Sequence, residues 1–81
     1  MNATVRVFAL ARQLAGQDQI QVALPTEATV RDLRRAIAAQ FPALAALTAQ
    51  ALFAVNADYA TDETPIPAGA DLACIPPVSG G

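Results

Sequence analysis

The apolar and polar positions of this chain fall into alternating and helical stretches. Residues 4–10, TVRVFAL, alternate and carry β-branched and aromatic side chains, which predicts a strand. Val5, Val7 and Ala9 then share one face, and Thr4, Arg6 and Phe8 the other. The next segment, ARQLAG, has room for one helical turn stopped by Gly16. QIQVAL, residues 19–24, alternates again, with Ile20, Val22 and Leu24 on its apolar face. Pro25 ends it, and the short connection predicts an antiparallel pair.

TVRDLRRAIAAQF, residues 29–41, changes period. Val30, Leu33, Ile37 and Phe41 line one helical stripe, while Arg31, Arg34 and Arg35 lie off it and predict a solvated face. Thr29 suits the N-cap, and Asp32 three residues on makes an acidic form of the capping box. Pro42 breaks this helix and can open a second short one, PALAAL. LFAV, residues 52–55, predicts a third strand, followed by a turn at NAD and a brief extended YA. Residues 61–71 read as a loop, because two prolines and a glycine exclude a helix or a central strand. DLACIP, residues 71–76, is the last strand, with Leu72 and Cys74 on one face and Ala73 and Ile75 on the other. The crossover through the helix favours parallel pairing of later strands with the first pair. The expected fold is α+β: a β-grasp, ubiquitin-like domain, its mixed sheet packed on one main helix plus a short helix.

With 81 residues the chain has room for one domain. No apolar run approaches the roughly 18–20 residues that span a bilayer, and nothing reads as a signal peptide, so neither a membrane partner nor export is expected. A cytoplasmic location follows. One cysteine and no histidine exclude a disulfide framework and the usual zinc ligands, so no metal site is expected. All five basic residues are arginines, and the net charge is −2, which argues against a nucleic-acid partner.

The end of the chain carries the candidate chemistry. Pro76 and Pro77 cannot extend a ladder, so the domain is expected over residues 1–76 and an extended tail over 77–81. That tail reaches about 16–18 Å at full extension. Gly80 and Gly81 are the narrowest units a polypeptide can offer, suited to entering a tight channel in another protein. The α-carboxylate of Gly81 is ionised at neutral pH and a poor electrophile, so it needs activation, typically adenylation from ATP. Sulfur can then attack the acyl-adenylate and leave a C-terminal thiocarboxylate. The plain alternative is a frayed end without chemistry.

Three stretches, VRVFALARQLAG at 5–16, AVNADYA at 54–60 and GADLACIPPVSGG at 69–81, resemble the small, sulfur-carrying subunit of molybdopterin synthase. The resemblance covers nearly the whole chain, and its last stretch is the specific one. It implies that Gly81 is adenylated by a ubiquitin-activating-like adenylyltransferase, which uses the ATP, and becomes a thiocarboxylate. The tail, Pro76, Pro77, Val78, Ser79 and Gly80, then enters the large synthase subunit. There it donates sulfur to cyclic pyranopterin monophosphate to build the molybdopterin dithiolene. On this resemblance the chain is no enzyme by itself and binds no cofactor stably, since the catalytic groups belong to the large subunit in a two-plus-two heterotetramer. Related carriers for thiamine or cysteine synthesis, and protein-modifying ubiquitin-like tags, share the fold and the terminal glycines.

The resemblance also places Phe8, Tyr59 and Ile75 on the partner surface, with Arg12 available to a partner carboxylate. Phe8 and Ile75 lie on strand faces with polar or small neighbours, where exposed apolar residues are also ordinary. Cys74 is not expected to carry sulfur: its parity with Leu72 points it to the core. Lysine is absent from the chain. An activated acyl group therefore finds no ε-amine on its own carrier, although a compositional bias toward alanine and arginine is the simpler explanation of the absence.

Overall fold

A computed structural model describes residues 1–77 of the chain. Strand β1 (Asn2–Val7) buries Ala3, Val5 and Val7, as its alternation predicts. It stops earlier than expected. Phe8 stays extended, but Ala9 turns to a positive φ of 53° and opens helix α1 (Ala9–Ala15). The strand predicted to Leu10 and the single helical turn are therefore a shorter strand and a seven-residue helix. The reason is local: Ala, Leu, Arg and Gln are strong helix formers, and they close helical bonds once the chain leaves the ladder. Gly16, at φ 72°, ends α1 in the left-handed region and donates its N–H to the Arg12 carbonyl at 2.9 Å.

Strand β2 (Gln19–Ala23) runs antiparallel to β1, with Ile20 opposite Val5. Helix α2 (Val30–Gln40) then crosses the sheet. Its predicted cap forms, the Thr29 N–H donating to Asp32 Oδ2 at 2.9 Å. Val30, Leu33 and Ile37 are fully buried, and Phe41 packs against the core from the helix end. A 3₁₀ turn (Pro42–Leu44) leads into helix α3 (Ala45–Gln50). Strands β3 (Leu52–Val55) and β4 (Asp58–Ala60) form a hairpin. Its two turn residues, Asn56 and Ala57, both have positive φ, the backbone that matches strand twist in a two-residue loop.

The last strand, β5 (Leu72–Ile75), enters the middle of the sheet. The strand order is β2-β1-β5-β3-β4, with β5 parallel to β1 and antiparallel to β3. This is an α+β β-grasp fold. The helices lie on one side of the sheet, and Phe53, Ile20, Leu33, Ile37, Leu44 and Leu72 fill the space between. The edge of β2 is closed at one point by a side chain. Gln40 accepts from the Ala23 N–H at 3.0 Å and donates to the Ala23 carbonyl at 2.9 Å, standing in for a further strand.

One sequence expectation fails inside this frame. The arginines of α2 are not a uniformly solvated face. Arg31 pairs with Glu63 at an exposed position, but the Arg34 side chain is only 23% exposed. Its Nη1 donates to the carbonyls of Thr48 (2.6 Å) and Ala51 (2.9 Å), and Nη2 donates to Asp62 Oδ1 at 2.8 Å. The guanidinium also lies 4.9 Å from the centre of the Phe53 ring. It thus ties α2, the end of α3 and the 61–71 loop together, and it places a cation at the C-terminal end of α3, beside the Thr48 carbonyl that also accepts the Ala51 N–H. Replacing Arg34 with Met should remove about 2–4 kcal/mol of stability in denaturant unfolding, because two shielded carbonyls lose a charged donor and the Asp62 carboxylate loses its partner. Arg34→Lys should recover only part of it, since an ammonium cannot reproduce the planar fork.

Candidate partner-binding site

Among the described residues the helices cover only one face of the sheet, and the other face gathers apolar side chains around the end of β5. Alternation turns Leu72 and Cys74 into the core, so Ala73 and Ile75 point outward. The register sets Ile75 opposite Leu52 of β3. On the other side, Val7 aligns with Cys74, which brings the extended Phe8 level with Ile75. Phe8, Ile75 and Leu52 therefore form a row across three neighbouring strands. A second row, Ala73, Ala54 and Tyr59, follows from the pairs Ala73 with Ala54 and Ala54 with Tyr59. Phe8 is 44% exposed, Leu52 56% and Tyr59 74%, so three large apolar surfaces meet solvent together. Arg6 and Asp71 border the patch as an exposed ion pair at 3.0 Å.

The fold thus brings together three of the four expected contact residues, Phe8, Tyr59 and Ile75. Arg12 sits instead on α1, its guanidinium 3.8 Å from Asp18. Leu52 is the residue that the sequence reading missed. It lies on the strand face opposite to buried Phe53, and its place beside Ile75 depends on a pairing between strands about twenty residues apart, which no local pattern reveals.

Behind this row the chain leaves the sheet at the root of the expected tail. Pro76 is buried and Pro77 exposed. Both line an open groove of about 680 Å³ together with Ala9, Leu10 and Gln13 of α1 and Leu47 and Gln50 of α3. The exit of β5 therefore lies between two apolar surfaces, the sheet row on one side and this groove on the other. The remaining tail residues, Val78, Ser79, Gly80 and Gly81, lie outside the described residues.

Comparison with known proteins assigns the family. The model of the ThiS family matches residues 5–81. The chain belongs to the ThiS family. Several curated relatives within reach are molybdopterin synthase sulfur carrier subunits. The one from Chlamydomonas reinhardtii is 35% identical over the full length of both chains. Among solved structures, SAMP1 from Haloferax volcanii matches over the whole of both chains with a TM-score of 0.84 and 28% identity. A chain from the complex of subunits 1 and 2 of molybdopterin-converting factor from Helicobacter pylori has a TM-score of 0.67. At 23% identity over both full chains it supports the fold alone. This ThiS-family chain is thus similar to sulfur carriers along its entire length.

The thiol nearest the tail root is kept out of that chemistry. Cys74 is buried between Val7 and Phe53 on the core side of β5. Burial pushes its thiol up from an ordinary 9.0 to about 11, with the nearby Arg34 guanidinium opposing part of the shift. The folded chain therefore holds this proton more tightly than the unfolded chain. Its contribution to stability is complete below pH 9 and is lost as pH rises toward 11. Unfolding titrations across that interval should show stability falling, and Cys74→Ala should flatten that part of the decline. At pH 8 an aromatic disulfide reagent should label the thiol only after denaturation.

Proposed function

We propose that this chain is the sulfur carrier of molybdenum cofactor biosynthesis, with residues 1–76 as the globular part and 77–81 as a tail whose terminal carboxyl reacts. Family membership through Gly81, joined to the Gly80-Gly81 end itself, carries this reading. A ubiquitin-activating-like adenylyltransferase consumes ATP to form the Gly81 acyl-adenylate. Sulfur then displaces AMP and leaves a thiocarboxylate. Inside the large subunit of molybdopterin synthase this group transfers its sulfur to cyclic pyranopterin monophosphate. The chain supplies sulfur and position, while the large subunit supplies acid–base groups. No cofactor stays bound to the carrier, and the cycle runs in the cytoplasm.

The open sheet face supports this division of labour. Full burial of an apolar side chain is worth about 1.5–3 kcal/mol, whereas association costs an estimated 4–15 kcal/mol. A row of three such residues contributes about 4.5–9 kcal/mol, within the range of that cost, so contacts along Pro76, Pro77, Val78, Ser79 and Gly80 supply the margin. Binding shared between a face and a tail suits a carrier that leaves one enzyme for another.

Incubating the chain with ATP, the adenylyltransferase and a sulfur source should replace one terminal oxygen with sulfur, read by intact mass. Deleting Gly81, or adding a single residue after it, should abolish sulfur transfer and leave the circular dichroism spectrum unchanged. Restoration of dithiolene formation by the truncated chain would overturn the reading. Phe8→Ala and Ile75→Ala should each weaken pairing with the large subunit by roughly 10- to 100-fold, measured by titration calorimetry, following the burial lost. A modifier role has the likeness to SAMP1 on its side. It predicts stable conjugates between Gly81 and lysines of other proteins in cell extracts, which the carrier reading does not.

A further inference from the structure

We propose that the fold shields its own activated terminus: no amine or thiol of the globular part can reach Gly81 once its carboxyl is activated. This deepens the carrier reading and rests on it for the activation itself. Amines and thiolates are the side-chain nucleophiles that would compete with a partner for an acyl group, and the chain has few of either. Lysine is absent, so the α-amine of Met1 is the amine to account for. It is hydrogen-bonded to the Leu24 carbonyl at 2.7 Å. More decisive is where the parallel pairing puts it.

Because β1 and β5 run side by side in the same direction, with Val7 level with Cys74, Met1 and the tail root lie at opposite ends of the sheet. Met1 precedes Val7 by about 20 Å of strand, and Pro76 lies about 7 Å beyond Cys74 in the other direction, at ~3.3 Å per residue. The span from Pro76 to Met1 is therefore about 26 Å, while residues 77–81 extend at most about 16–18 Å. The amine is out of covalent range whatever path the tail takes.

Cys74 is the opposite case. It lies seven residues before Gly81, well within range, but its side chain points into the core, where it is 2% exposed. Burial also pushes the thiol up from 9.0 to about 11, so that less thiolate forms even in mildly alkaline solution. One nucleophile is excluded by distance, and the other by direction. The polar side chains next to the tail root are glutamines, Gln13 and Gln50, which line the groove with Pro76 and Pro77 and offer no amine nucleophile.

The test bypasses the biological activating enzyme. The 81-residue chain is made as a C-terminal alkyl thioester by intein cleavage with a small thiol. An attacking amine forms the C–N amide bond, the C–S bond breaks, and the small thiol leaves with the proton. Products are read by intact mass and peptide mapping in dilute solution near pH 8. The folded wild type should lose its thioester only by hydrolysis. Gln13→Lys and Gln50→Lys should form the internal amide at least about tenfold faster than wild type, through their high effective concentration. Ala68→Lys, in the loop at the Met1 end, should behave as wild type. In concentrated guanidinium the wild type should pass rapidly to a Cys74 thiolactone, and Cys74→Ala should not. A Met1–Gly81 amide or a Cys74 thiolactone from the folded wild type would overturn the proposal. So would Gln13→Lys and Gln50→Lys variants that cyclise no faster than wild type. Failure of sulfur transfer with the adenylyltransferase would instead count against the carrier reading and leave these results unaffected.

Discussion

The constraint on which the rest of this structure depends is that one main helix covers one face of one sheet. The stripe of Val30, Leu33 and Ile37 is fully buried against the strands, and the remaining helices pack on the same side. A chain of this length has too few large side chains to cover both faces. The uncovered face is therefore free to carry apolar residues whose role lies outside the fold, and the placement of β5 in the middle of the sheet decides which ones gather there.

Most of the architecture was legible because its signals are local. The Thr29–Asp32 cap, the period of α2, the alternation of β2 and the parity of Leu72 and Cys74 each lie within a few residues of one another. The failures came where local signals compete or where distant segments decide. Alternation through Phe8 and Leu10 suggested a longer strand, but the alanine- and leucine-rich segment that follows prefers to close helical bonds. Arg34 looked like its neighbours on the helix. Only the packing of α3 and the 61–71 loop against α2 gives its guanidinium two carbonyls and a carboxylate to bind.

The candidate site divides along the same line. Phe8, Tyr59 and Ile75 were placed on the outer surface by resemblance, and the fold joins them, but Leu52 completes the row through strand register. Arg12 turned out to belong to α1 and to face Asp18. The glycine tail is a candidate from residue type alone, because the narrowness of Gly80 and Gly81 and the acidity of a terminal carboxyl need no tertiary context, and it lies outside the described residues.

The central position of β5 has a mechanical side. The strand that leads into Pro76 is bonded along both edges, to β1 and to β3. Traction applied at Pro76 reaches β5 first, and the bonds of that strand to β1 and β3 share the load. A tail grown from an edge strand such as β4 would have a single ladder to hold it. The innermost strand thus gives the tail root two anchoring ladders.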